Sequence, residues 1–135
     1  MNNQRGTSRF YSDNSEVVAG VLQLDMTNYK GSDSLDIVLI SDYTNAIQNE
    51  FLGKLITTYL DGVKWEYDKC GYACSDHSSW TKVGYPASFP FESKKRDMNG
   101  NIHTARDTID VSDGNALHAA KFAQLAVAFV VELDR

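Results

Sequence analysis

At 135 residues, 42% hydrophobic and 23% charged, the chain has the length and balance of one globular domain, which excludes wholesale disorder. A net charge of −5, with no basic block longer than Lys94-Lys95-Arg96, argues against a nucleic-acid binder. No apolar run approaches the roughly 20 residues needed to span a bilayer.

Residues 1–16 are polar and aperiodic and read as a tail or the remnant of a preceding element. Nothing about the start resembles a signal peptide, so either the chain is cytosolic or its targeting segment lies elsewhere. Residues 17–24 are almost wholly apolar and predict a strand buried on both faces, ending at Asp25. A carboxylate at the end of a buried strand is where open α/β sheets place their sites. Residues 36–41 (DIVLIS) predict a second buried strand, and Asp42 or Thr44 caps the helix that follows. Ile47, Phe51, Leu55 and Tyr59 recur every four residues, with Leu52 and Ile56 beside them, as one packed helix face. Residues 63–67 predict a third strand. Ser75 is the expected N-cap of a short helix running to about Val83, before Gly84 and Pro86. Residues 87–91 predict a fourth strand, followed by a charged loop through Asn101. A long helix is expected from Ser112 or Asp113 to Leu133, with Phe122, Leu125, Ala126, Phe129 and Leu133 as its stripe. Being apolar on most sides, it is expected to be deeply buried. The order β-β-α-β-α-β-α predicts a layered α/β domain, with no internal repeat.

Three places could carry chemistry. Asp25, in Leu24-Asp25-Met26-Thr27-Asn28-Tyr29, either closes a turn or meets a metal ion, because a carboxylate beside a buried strand needs a partner. His103 sits in a loop where a lone imidazole is most often solvated. Thr104, Asp107 and Thr108 around it are also good loop-closing residues. The stretch from Cys70 to Trp80 places Tyr72, Asp76 and His77 on a loop entering a helix. Cys70 and Cys74 read equally as free thiols or as a short-loop disulfide. A nucleophilic role for Ser75 or Cys70 with His77 is poor, since there is no G-x-S-x-G elbow. His118 receives no function.

Together and in this order, LDMTNY, GYACSDHxSW, GYPAxFPFES and IHTxxDT resemble the zinc-dependent aminopeptidases of the M28 family, including the secreted bacterial leucyl aminopeptidases of the Vibrio type. The resemblance runs from about Val17 to Leu133. It implies a three-layer α/β/α fold around a mixed sheet, of which residues 17–135 form the C-terminal half. It implies two zinc ions, with Asp25 a ligand of one and His103 of the other. Tyr72 matches a tyrosine that stabilises the developing oxyanion, and Cys70 and Cys74 match a disulfide pair. Met26, Ile40, Phe91 and Ile102 match the pocket for the substrate's N-terminal side chain. Asp76 and His77 match a supporting segment.

The family also needs an upstream His, a bridging Asp and a Glu-Glu pair. The residues before Asp25 contain no His, and their only acids are Asp13 and Glu16. Lys95 and Met98 stand where relatives carry aromatics near the pocket. The resemblance therefore implies a secreted zinc aminopeptidase acting on peptides with a free N-terminus, represented here by a piece inactive without its other half. The competing expectation is a non-catalytic peptide- or subunit-binding domain with a degenerate metal site, self-associating through an exposed sheet edge.

Overall fold

The computed structural model describes residues 17–31 and 34–135; the polar stretch 1–16 lies outside the described residues. Four strands form a mixed sheet: β1 (Val21–Leu22), β2 (Ile37–Ile40), β3 (Trp65–Asp68) and β4 (Ala87–Phe91), in the order β1-β4-β2-β3. β1 is parallel to β4, β2 is parallel to β3, and β2 is antiparallel to β4. Three helices cover it: α1 (Ala46–Tyr59), α2 (His77–Lys82) and α3 (Leu117–Leu133).

All four residues of β2 are buried, and alternation sends them to opposite faces. Ile37 and Leu39 join Leu52, Leu55 and Ile56 of α1 and Phe122, Leu125 and Phe129 of α3 in one core. Val38 and Ile40 join Leu35, Phe89 and Phe91 in a second. The register pairs Val38 with Phe91 and Ile40 with Phe89, so β2 and β4 present one apolar face together. α2 packs on that side, with His77 stacked on Phe89 at 4.8 Å between ring centres. Helices on both faces of a mixed sheet make the α/β/α layering.

Several elements differ from expectation. β1 spans two residues instead of eight; Val17 is 96% exposed and Leu24 also reaches solvent. Its Val21 carbonyl also accepts from Gln48 Nε2 of α1 at 2.8 Å, which ties this short strand to the helix. The cap of α1 is Asn45, whose Oδ1 accepts from the Gln48 N–H at 2.9 Å. Ile47 (78% exposed) and Tyr59 (52%) lie off the packed stripe. A four-residue spacing drifts about 40° per step on a 3.6-residue helix, so positions twelve apart end roughly 120° from each other. Gly53 lets the Trp65 indole pack against α1, because a Cβ there would sit 2.4 Å from the ring and force it to shift.

The third strand is shifted by one or two residues from 63–67. α2 begins two residues after Ser75. The last helix starts later than expected. A 3₁₀ turn at Ile109–Ser112 is followed by Asp113 and Gly114, both at positive φ, which break the chain's path. Asn115 Oδ1 then accepts from the Leu117 N–H at 2.9 Å and starts α3. α3 is buried on one side only: Val127, Val130, Val131 and Leu133 are exposed. No helix among the described residues is long and apolar enough to cross a membrane.

Asp36 fastens the sheet to α3. Its buried carboxylate accepts from Lys121 Nζ, from the Lys64 N–H at 3.0 Å and from Lys30 Nζ at 3.5 Å. Burial pushes its pKa up, but the Lys121 hydrogen bond, the Lys64 N–H and the two ammonium charges outweigh this, so it titrates below its ordinary 3.8. A depressed folded pKa gives stability that is complete above the unfolded value and is lost as pH falls through the folded one. Asp36→Asn is therefore expected to lower unfolding stability at pH 7 by roughly 1–3 kcal/mol, the scale of hydrogen bonds to a charged group. The gap from wild type should close below pH 3.8 in urea titrations.

Candidate metal and peptide cleft

The second core forms the floor of a cleft of about 1040 Å³. Met26, Cys70, Cys74, Phe89 and Phe91 belong to both. β1 runs opposite to β2 and β3, so Asp25 and the loops after β2 and β3 leave the sheet at different ends. The cleft reaches all of them because it lies across the sheet face. It is not a crevice at one strand end, the placement that the position of Asp25 suggested.

Asp25, Met26, Tyr72, Phe91, Ile102 and His103 all line this cleft. Ile40 does not: it is completely buried in the floor, beneath Phe89, Phe91 and Met26. Three cleft residues other than glycine, Met26, Tyr43 and His103, have positive φ (56°, 57° and 62°). Such strain persists only where the surroundings enforce it, and it concentrates at functional sites.

The surroundings here are specific. Asp25 Oδ2 accepts from Ser75 Oγ at 2.8 Å, which orients one edge of the carboxylate. The turn bearing His103 is closed by Thr104 Oγ1 donating to Asn101 O at 2.7 Å and by the Asp107 N–H donating to Thr104 O. Asn99 Nδ2 donates to Asp107 Oδ1 at 2.8 Å, and Asn99 Oδ1 accepts from the Asn101 N–H.

Glu92 joins the two sides. Its carboxylate is buried and accepts from the Tyr29 N–H (3.0 Å) and the Asn99 N–H (3.2 Å). Its own N–H donates to the Met26 carbonyl, and its carbonyl accepts from His118 Nε2 at 3.1 Å. Burial raises its pKa, opposed by those backbone N–H groups. One residue thus ties the Asp25–Met26 turn, the His103 loop and the start of α3. Burial likewise lowers the pKa of His118 and of His77. Neither ring nitrogen of His77 makes a full hydrogen bond, although the Asp42 backbone is near enough to oppose the shift. Both rings are buried, His77 stacked on Phe89 and His118 edge-on to Phe122.

Cys70 and Cys74 form a disulfide, closing the loop that carries Tyr72. Asp42 braces it by accepting from the Cys70 N–H (3.0 Å) and the Gly71 N–H (2.7 Å). The sequence presents Asp42 as a helix-cap candidate and Ser75 as a cap or, poorly, a nucleophile. Their bonds to the Cys70 loop and to Asp25 cross long sequence separations, for which no local pattern exists.

The donor set is incomplete for zinc. Among the described residues no three His, Cys, Asp or Glu side chains are grouped to hold a metal ion. Asp25 and His103 offer a carboxylate and an imidazole, whereas catalytic zinc normally takes three protein ligands. These residues alone do not make a zinc site.

Fold and site together define a three-layer α/β domain that presents an oriented aspartate and an imidazole to one apolar-floored cleft. The sequence profile of Peptidase family M28 matches residues 5–128. Leucine aminopeptidase 1 of Paracoccidioides brasiliensis (strain Pb03) is 35% identical over 128 residues, 91% of this chain and 32% of that protein. The LapA aminopeptidase of Legionella pneumophila superposes with a TM-score of 0.89 at 37% identity, over 96% of this chain and 34% of LapA. LapB of the same organism gives 0.86 at 35% identity, covering 94% of this chain and 34% of LapB. The chain belongs to Peptidase family M28. It spans about a third of the length of the relatives it matches.

Proposed function

We propose that this chain is part of a secreted, zinc-dependent aminopeptidase that releases N-terminal, hydrophobic residues from peptides. The observation that carries the reading is the opening of Asp25 and His103, distant in sequence, onto one cleft with an apolar floor. Asp25 and His103 are each a ligand of one of two zinc ions, with the remaining ligands and the general base supplied from outside these 135 residues. Ser75 orients Asp25, and the Asn99–Thr104 turn holds His103. Tyr72, on its disulfide-closed loop, donates to the substrate carbonyl oxygen as it gains charge. Met26, Phe91 and Ile102 receive the N-terminal side chain, with Phe89 beneath them and Ile40 as buried support.

A second reading, a non-catalytic peptide- or subunit-binding domain with a degenerate metal site, is favoured by one observation, the two-donor set. A graft separates the two. Replacing the matching third of LapA with this chain is expected to give a zinc-dependent enzyme on leucyl-p-nitroanilide, and Asp25→Ala in the graft is expected to abolish turnover. A folded but inactive graft would favour the binding-domain reading.

A further inference from the structure

Lys95 is an unusual feature of the cleft wall. Its Nζ lies 5.3 Å from the centre of the Tyr72 ring and 2.9 Å from Met98 Sδ. The first contact is a cation–π geometry and the second a weak acceptor. Neither neutralises the charge. Ion pairs among the described residues involve Lys30, Lys94, Lys121 and Arg135, and not Lys95.

The backbone around Lys95 is fixed. Its N–H donates to Asp68 Oδ2 at 2.9 Å, and the neighbouring Lys94 pairs with Glu66 at 2.7 Å. Of the acids lining the cleft, Asp25 accepts from Ser75 and Asp107 from Asn99, while Asp76 heads α2; none pairs with Lys95. Lys82 also lines the cleft but is exposed and has no such brace. A half-buried ammonium held in place without an anion is pre-organised to receive one, because little ordering remains to oppose binding.

We propose that Lys95, braced by Tyr72 and Met98, recognises a carboxylate of the bound peptide. This rests on the reading of the cleft as a peptide site. The carboxylate is either the free C-terminus of a short peptide or an acidic side chain beyond the N-terminal residue. Lys95 thereby biases the cleft toward short or acidic peptides.

The test is an NMR titration of the 135-residue chain with three peptides. Leu-Ala carries a C-terminal carboxylate, Leu-Glu-amide a side-chain carboxylate, and Leu-Ala-amide neither. At least one carboxylate peptide should bind about tenfold more tightly than Leu-Ala-amide, with the Tyr72 ring and Lys95 signals moving, and which one it is identifies the source. Lys95→Met should remove the difference and Lys95→Arg should retain it; Lys95→Gln replaces the Met variant if that one fails to fold. Equal binding of all three peptides to the wild type, or a difference that survives in Lys95→Met, overturns the Lys95 assignment and leaves the peptide cleft standing. Failure of all three to bind overturns both.

Discussion

Supplied with zinc and leucyl-p-nitroanilide, the 135-residue chain by itself is expected to release nitroaniline no faster than buffer. An intact enzyme gains at least about a millionfold over the uncatalysed reaction. That gain needs a complete metal site and a proton acceptor, both in place before the reaction. Here Asp25 and His103 are two donors where three are the norm for one catalytic zinc. The buried Glu92 is not available as a base, since its carboxylate is held by the N–H groups of Tyr29 and Asn99. The assay is a progress curve at micromolar chain with and without chelator. A chelator-sensitive rate comparable to LapA would show that these residues hold a full site.

Phe89→Ala is expected to destabilise the fold by roughly 3–5 kcal/mol, the usual result of truncating a buried phenylalanine. Phe89 is 1% exposed, pairs with Ile40 across the sheet, stacks on His77 and meets Phe91 edge-on at 5.3 Å. Its removal would leave the buried His77 ring without its stacking partner. It would also deepen the cleft floor between Asp25 and the Cys70 loop. Against a domain stability of about 5–15 kcal/mol, the change is large. Ile47→Ala supplies the contrast. Ile47 also belonged to the expected packed face of α1, yet it lies in solvent, and its loss should change stability by no more than about 0.5 kcal/mol. Urea unfolding of both variants checks the pair, and a larger effect from Ile47→Ala would mean that α1 packs through a different face.

That contrast also explains how much was legible in the sequence. β2 and β4 were readable because they are short apolar runs buried on both faces, and burial of that kind leaves a continuous pattern. The apolar run predicts a longer β1 than forms, because it does not state where a partner strand ends; Val21 and Leu22 are the residues that pair with β4. Leu52, Leu55 and Ile56 carry the core of α1 in sequence and structure alike, while Ile47 and Tyr59 fit a four-residue spacing that drifts around the helix. The start of α3 is set by Asp113 and Gly114 at positive φ and by the Asn115 side chain accepting from the Leu117 N–H, which override the polar residues that suggest an earlier start.

The site was legible as motifs and not as geometry. Asp25, Tyr72 and His103 came from ordered blocks, each weak in isolation. What holds them came only from the fold: Ser75 on Asp25, Asp42 under the Cys70 loop, Glu92 between the two halves and Lys95 on Tyr72. Each is a contact across sequence that no local pattern announces.

The account stands on Asp25 and His103 sharing one metal-binding region. Titrating the LapA graft, which supplies the remaining ligands, with cobalt(II), whose unpaired electrons broaden nearby signals, and following backbone NMR resonances tests this directly. The two residues should broaden together at the same cobalt concentration, and Asp25→Ala should weaken the response at His103. Broadening of only one of them, or of neither while surface carboxylates respond, would contradict it.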